Sequence, residues 1–213
     1  MVKLAIFDVD YTITKKETLL EFYKFMISKN PRFIRFAPRA LAASFFYVFK
    51  VFDASRAKEN FISFIDGMKQ EELLELTKEF YEKCLSRIFY TDAIDTMKRL
   101  KNKGYQIYLI SASAQFYLDQ LYNIKEVDKV IGTLFKCHQG KYSRKIEGEN
   151  CKGESKVKRL LAVIKEENLD VDFTKSYMFS DSLSDSPLFE LVGHPYLINY
   201  KKKSDKYEIL NWK

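Results

Sequence analysis

Lys3-Leu4-Ala5-Ile6-Phe7-Asp8-Val9-Asp10-Tyr11-Thr12 runs from a compact apolar segment straight into two carboxylates. A short apolar run of this kind reads as a strand buried on both faces, with polar groups gathered at its carboxyl end. Strands buried on both faces belong to parallel sheets covered by helices, and the later sequence has the matching rhythm. Thr91 to Lys103 predicts a helix with Ile94, Met97 and Leu100 inward and Gly104 closing it. Tyr105 to Ile110 predicts a strand ending at Ser111, and Ala114 to Tyr122 a helix. Val130 to Leu134 predicts a strand, and the polar stretch with Gly140 and Gly148 a hairpin excursion. Helix Glu154–Glu167, strand Ser176–Phe179, helix Pro187–Leu191 and short strands at 196–198 and 207–210 complete an α/β pattern.

Between the first strand and Thr91 the period changes. Phe61, Phe64, Ile65 and Met68 recur at helical spacing, as do Leu73, Leu76, Phe80, Cys84 and Ile88. No strand-like alternation interrupts this block, which predicts a helical unit of about seventy residues inserted into the α/β core. Its most apolar segment, Ala40-Leu41-Ala42-Ala43-Ser44-Phe45-Phe46-Tyr47-Val48-Phe49, is too short to span a bilayer. It is expected to be a buried or substrate-facing helix rather than a membrane-interface helix.

In open parallel sheets, ligands sit beyond the carboxyl ends of the strands. Three expected strand ends carry chemistry: Asp8 and Asp10, Ser111, and Asp181 and Asp185. A carboxylate is a competent nucleophile toward phosphorus, and the acyl phosphate it forms can be hydrolysed by water. The reaction needs an acid for the leaving alkoxide and then a base for the water, which a second carboxylate supplies. Asp8 suits the first role and Asp10 the second; on an extended backbone, residues two apart point the same way. Ser111 suits a hydrogen bond to a phosphate oxygen. Lys156 falls in the first turn of an expected helix, where an ammonium would offset repulsion between nucleophile and phosphate. Magnesium prefers oxygen ligands and takes one or two carboxylates plus waters and phosphate. Asp181 facing Asp8 would supply the second carboxylate, with Asp185 binding through water or orienting the lysine.

Composition narrows the partners. With 46% hydrophobic and 31% charged residues the chain is neither disordered nor fibrous. The net charge of +7 is spread out, and the densest run, Lys201-Lys202-Lys203, reads as a solvated turn before the last strand. Nucleic acid is therefore not expected as a partner, nor a membrane surface; a diffuse positive field suits a phosphorylated substrate. Three cysteines without a CxxC pair argue against a disulfide framework or a zinc site and for a reducing, cytoplasmic compartment. The run Val2 to Phe7 meets Asp8 and Asp10 too soon for a signal peptide. Oligomeric state is left open.

The order of these motifs resembles the haloacid dehalogenase-like (HAD) superfamily of hydrolases, in particular its phosphoserine phosphatase-like subgroup (subfamily IB). The resemblance rests on Asp8-Val9-Asp10-Tyr11-Thr12, Ser111, Cys151-Lys152-Gly153-Glu154-Ser155-Lys156, Ser180-Asp181-Ser182-Leu183-Ser184-Asp185 and Val192-Gly193-His194-Pro195-Tyr196-Leu197-Ile198-Asn199. It implies a Rossmann-like parallel core over 1–13 and 89–213 and a C1-type helical cap over 14–88. It implies a phosphatase with Asp8 as nucleophile, Asp10 as acid/base, and Ser111, Lys156 and Ser184 around the phosphate. Mg2+ would be held by Asp8, the Asp10 carbonyl and Asp181, supported by Asp185, and Glu17 matches a substrate-binding cap residue. The chain departs from the pattern at Tyr11, Ser180 and Ser184, and Phe61 stands about where a carboxylate-binding arginine is expected. That argues against phosphoserine without deciding it, and with an aromatic-rich cap it implies a small phosphorylated substrate, an amphiphilic or lipid phosphate being the alternative. A different class of reading is a non-catalytic protein that binds phosphorylated ligands or anionic membranes; turnover and metal dependence separate the two.

Overall fold

The computed structural model describes residues 1–213. Strand β1 (Lys3–Phe7) is followed by helices α1 (Thr18–Lys29), α2 (Ala37–Val48), α3 (Ala54–Phe61), α4 (Gln70–Lys83) and α5 (Thr91–Asn102). Then come β2 (Tyr105–Ala114), α6 (Gln115–Leu118), β3 (Val127–Thr133), β4 (Phe135–His138), β5 (Lys141–Ile146) and α7 (Glu154–Glu166). The chain closes with β6 (Tyr177–Ser180), α8 (Ser186–Phe189), β7 (His194–Ile198) and β8 (Glu208–Leu210). Six strands form one sheet in the order β3-β2-β1-β6-β7-β8, every neighbouring pair parallel. The fold is the α/β, HAD-like Rossmann arrangement that the sequence implies.

The apolar run of β1 is continuous because both faces are covered. Leu4 and Ile6 pack with Leu160, Met178, Leu188 and Leu197 under α7 and α8. Ala5 and Phe7 point the other way, into a larger core with Ile107, Leu109, Phe179 and the α5 residues Met97 and Leu100. That second core continues without a break into the helices between 18 and 83. Phe22 of α1 lies 5.3 Å from the Tyr117 ring and 5.1 Å from the Phe80 ring, centroid to centroid. The chain leaves the sheet and returns to it side by side, with Lys15 N–H donating to Ile88 O (2.7 Å) and Tyr90 N–H to Ile13 O (2.9 Å).

The expected hairpin excursion is the antiparallel pair β4–β5, which reaches the helical block through Tyr142 and Met68. The helix expected over 114–122 is shorter: α6 gives way to a 3-10 turn at Asp119–Asn123. The side chain of Gln115 is taken up by Gly132 N–H and Val130 O of β3, which ties the first turn of α6 to the sheet. Of the two placements expected for the apolar segment 40–49, a buried helix is not found, and Ala40, Leu41, Ser44, Tyr47 and Val48 instead line a cavity. In α2 only Ala40 and Ala43 are buried, while Leu41, Phe45, Tyr47, Val48 and Phe49 are exposed. The small side chains, not the large ones, face the neighbouring helix, so the burial expected from hydropathy is inverted. No helix is long and apolar enough to cross a membrane.

Candidate active site

The carboxyl ends of β1, β2 and β6 lie next to each other, and that adjacency assembles the site. Asp8 follows β1 directly, its N–H donating to Phe179 O (2.9 Å). β1 ends at Phe7, and Asp10 stands at the start of a turn. The chain turns after Asp8: Thr12, Ile13 and Thr14 N–H groups all donate to Val9 O, and Tyr11 has φ +57°. A left-handed conformation costs a non-glycine residue about 1 kcal/mol or more. The turn closes behind Asp10, from Tyr11 to Thr14.

Lys156 is the centre of the buried part of the site. Gly153, at φ +57°, caps α7 and swings the helix start inward, so that a lysine in the first turn is only 2% exposed. Its Nζ donates to Asp8 Oδ1 (2.6 Å) and to Asp185 Oδ2 (2.7 Å). Ser180 Oγ also donates to Asp185 Oδ2 (2.8 Å). Asp185 is therefore in contact with the lysine, the geometry that one of the two roles weighed for it requires. Gly153→Ala would hold an alanine in left-handed backbone with no hard clash, since the nearest atom to its Cβ is 3.7 Å away. At φ +57° and ψ −127°, backbone that glycine adopts far more readily than alanine, the expected loss is about 1–3 kcal/mol of unfolding free energy, read as a lower urea midpoint at constant slope.

Asp10 is fixed from two sides. Thr18 N–H, at the start of α1, donates to Oδ1 (2.6 Å), and Ser113 Oγ donates to Oδ2 (2.6 Å). Thr18 Oγ1 in turn contacts Ser113 Oγ (3.1 Å) and Tyr117 Oη (3.2 Å). Ser111 is buried and accepts from Ser113 N–H (3.0 Å). Asp181 N–H donates to Thr12 Oγ1 (2.9 Å), which ties the end of β6 to the Asp8–Asp10 turn. Glu17 caps α1, accepting from Leu20 N–H (2.6 Å), and lines a cavity of about 650 Å³ together with Asp10. Ser184 is exposed and bonded within its own loop, to Ser182 Oγ (3.0 Å); no hydrogen bond joins it to Asp8 or Lys156.

The electrostatics are those of an acidic site short of positive charge. Burial pushes the Asp8 carboxyl up to about 8, with Asp185 and Asp10 adding to it and Lys156 pulling against it. Burial and Asp185 raise Asp181 to about 6, and burial and Asp10 raise Glu17 to about 7. Burial works against the charge on Lys156, but Asp8 and Asp185 outweigh it and hold the ammonium above its ordinary range. Lys156 thus serves Asp8 and Asp185 directly, and a second, half-buried cation, Lys58, stands by Asp10.

Those residues suit a hard divalent cation. Asp185 Oδ1 is buried with no hydrogen-bond partner, an acceptor left for a water or a cation's hydration shell. No three Asp, Glu, His or Cys side chains form a closed metal cage. Magnesium seldom uses one: it takes one or two carboxylates and completes its shell with waters and phosphate. Asp8 and Asp181, with a main-chain carbonyl, fit that pattern.

Three contributors are missing from the sequence reading. Ser113 was legible, because it lies two residues beyond Ser111 on one strand and must share its face. Thr18 was hidden, since it acts through a backbone N–H. Lys58 of α3 carries no signal among 36 basic residues. Its Nζ reaches Ala112 O and Asn150 Oδ1, and burial lowers it to about 8.

Comparison with known proteins adds the wider context. Residues 5–190 match the family model described as haloacid dehalogenase-like hydrolase. A "Probable phosphatase" of Mycobacterium tuberculosis is 22% identical over 198 residues, covering 92% of this chain and 68% of that protein. The "Phosphoserine phosphatase" of Methanocaldococcus jannaschii is 25% identical over 194 residues, covering 90% of this chain and 82% of its own. A crystal structure of a protein of unknown function from Bordetella pertussis superposes with a TM-score of 0.88 at 22% identity, covering 99% and 98% of the two chains.

Proposed function

The chain belongs to the haloacid dehalogenase-like hydrolases, and on that premise we propose that it hydrolyses phosphate monoesters through an aspartyl-phosphate on Asp8. The observation that carries this reading is the buried Asp8–Lys156–Asp185 relay beside a separately anchored Asp10. Lys156 occupies Asp8 Oδ1 and leaves Oδ2 without a protein hydrogen bond, available to attack phosphorus. As the Asp8–phosphorus bond forms, the bond from phosphorus to the ester oxygen breaks, and Asp10 gives its proton to the departing alkoxide. Asp10, now a carboxylate, takes a proton from water; the water oxygen attacks phosphorus, the Asp8–phosphorus bond breaks, and inorganic phosphate leaves. Asp10 can serve both steps because Thr18 and Ser113 hold its orientation throughout. Ser111 and the Lys156 ammonium are assigned to the phosphate oxygens, where charge grows in the transition state.

HAD phosphatases generally use Mg2+, and here Asp8, the Asp10 carbonyl and Asp181 are assigned to hold it, with Asp185 behind them. When bound it neutralises the carboxylates and polarises the phosphate. We assign residues 14–88 as the cap and 1–13 with 89–213 as the catalytic core; the paired connections at Ile13–Lys15 and Ile88–Tyr90 support that division.

A panel of phosphate monoesters assayed with Mg2+ and with a chelator tests the reading. Phosphate release is expected with Mg2+, falling by at least about 10²-fold on chelation, the scale set by losing one main electrostatic stabiliser. Equal rates with and without the metal would remove Mg2+ from the proposal. Ligand binding without any release would favour the non-catalytic reading.

A further inference from the structure

We infer that the ester cleaved at Asp8 is amphiphilic, with an apolar chain on the leaving-group side of its phosphate. The inference rests on the phosphatase reading above and names the substrate class of the same site. Asp10 and Ser113 line the 650 Å³ cavity, whereas Asp8, Lys156 and Asp181 do not. The proposed acid of the site therefore faces the cavity and the proposed nucleophile lies outside its wall. In an in-line displacement the group that Asp10 protonates departs away from Asp8, and so enters this cavity.

The space has a definite origin. Ala37, Ala40 and Ser44 of α2 recur at three- and four-residue spacing on one helix face, and Ala54 and Ala57 of α3 line the same cavity. These short side chains leave room between two helices that would otherwise close. The wall is made by Leu19, Leu20, Tyr23, Leu41, Val48 and Phe61, and 13 of the 20 lining residues are hydrophobic. A volume of this size suits a drug-sized ligand that buries most of its surface, not a leaving group of a few polar atoms. Of the charged groups inside, Glu17 caps α1 and Lys58 is bound to Ala112 O and Asn150, while Lys152 lies beside Tyr47 Oη (3.3 Å). A small zwitterionic leaving group such as serine would leave the apolar wall unfilled.

The mouth points the same way. Leu41 and Val48 line the cavity while 71% and 73% exposed, and the apolar surface runs on through Phe45 and Phe49. Large contiguous apolar surface on a soluble chain marks a place of association. Here it is continuous with the cavity, so a chain threading inward would stay in apolar contact along its length.

The test is a series of n-alkyl phosphates from ethyl to dodecyl, beside phosphoserine and glycerol phosphate, with Mg2+ and below micelle-forming concentrations. Each methylene buried is worth up to about a fourfold gain, so kcat/KM is expected to rise at least about twofold per methylene until the cavity fills. Ala57→Leu, which takes up space in the cavity, should cut the dodecyl-to-ethyl ratio of kcat/KM by at least about tenfold. A second arm presents a long-chain monoester in phosphatidylcholine vesicles. A higher rate there than for the free monomer identifies a lipid surface as the source, and the reverse identifies the free amphiphile; both uphold the class. Release of phosphate from short and long esters alike, with a flat chain-length profile, overturns this inference and leaves the phosphatase reading standing. If no ester releases phosphate, binding to Asp8→Asn decides: dodecyl phosphate at least about tenfold tighter than ethyl phosphate keeps the cavity assignment while the hydrolytic reading fails, and equal affinities end both.

Discussion

Asp8→Asn is expected to keep the fold and lose at least about 10⁴ in kcat, the scale seen when a covalent nucleophile is removed. The substitution is isosteric, so the 7%-exposed side chain still fits its place. An amide oxygen can still accept from the Lys156 ammonium, which also keeps Asp185 at 2.7 Å. What is lost is the carboxylate oxygen that forms the bond to phosphorus. Removing one of four crowded aspartates also relieves repulsion, so stability should change by less than about 1 kcal/mol. Initial rates across the ester panel, with a urea melt of the same sample, read both quantities. A trapping experiment adds a direct check: wild-type protein quenched in acid during turnover should carry a hydroxylamine-sensitive acyl phosphate, and the variant should carry none. Turnover surviving in the variant would falsify the aspartyl-phosphate route and leave direct attack by water as the chemistry of the site.

The legible part of this site was carried by positions whose backbone environment is regular. A both-faces-buried strand requires an apolar run, so β1 and the polar end beyond it could be read from Leu4 to Asp10 directly. Lys156 was legible because an ammonium in a helix's first turn works against the dipole and so invites another explanation. The turn at Tyr11 was not, since a tyrosine gives no hint of left-handed backbone. For segment 40–49 only the buried alternative failed, for a related reason, since Leu41, Tyr47 and Val48 line the cavity. Hydropathy sums side chains around the helix, whereas burial depends on which face meets a neighbour, and in α2 that face is the alanine one. Contacts through backbone groups, such as Thr18 N–H on Asp10, leave no mark in side-chain chemistry at all.

The same reasoning makes Lys156 the position where stability and activity are expected to fail together. Lys156→Met fills similar space but leaves Asp8 and Asp185 buried without their shared cation. Removing one partner from a buried ionic cluster costs about 3–5 kcal/mol, so the melting temperature should drop by roughly 6–20 °C. Loss of the ammonium from the transferring phosphate should lower kcat by about 10²–10³ besides. The stability deficit has a pH signature. Asp8 already sits at about 8 in the folded wild type against an ordinary value near 3.8, and without Lys156 it loses a contribution that lowers it. Between those values the folded variant holds more protons than the unfolded chain, so its stability falls as pH rises. Lys156 itself stays charged across that window in wild type, both folded and unfolded, and adds no slope there. Wild type shares that slope up to about pH 8, so the gap should stay flat from pH 5 to pH 7 and widen from pH 7 to pH 9, where wild-type Asp8 ionises and the variant's does not; added Mg2+ should narrow it at pH 9 by binding the folded state alone. Lys156→Arg is not expected to rescue either property, because a planar fork cannot replace a point charge between two carboxylates at 2.6 and 2.7 Å. Melting curves at these pH values, with and without Mg2+, separate this from a simple packing defect, which would lower stability equally at each pH and ignore the metal.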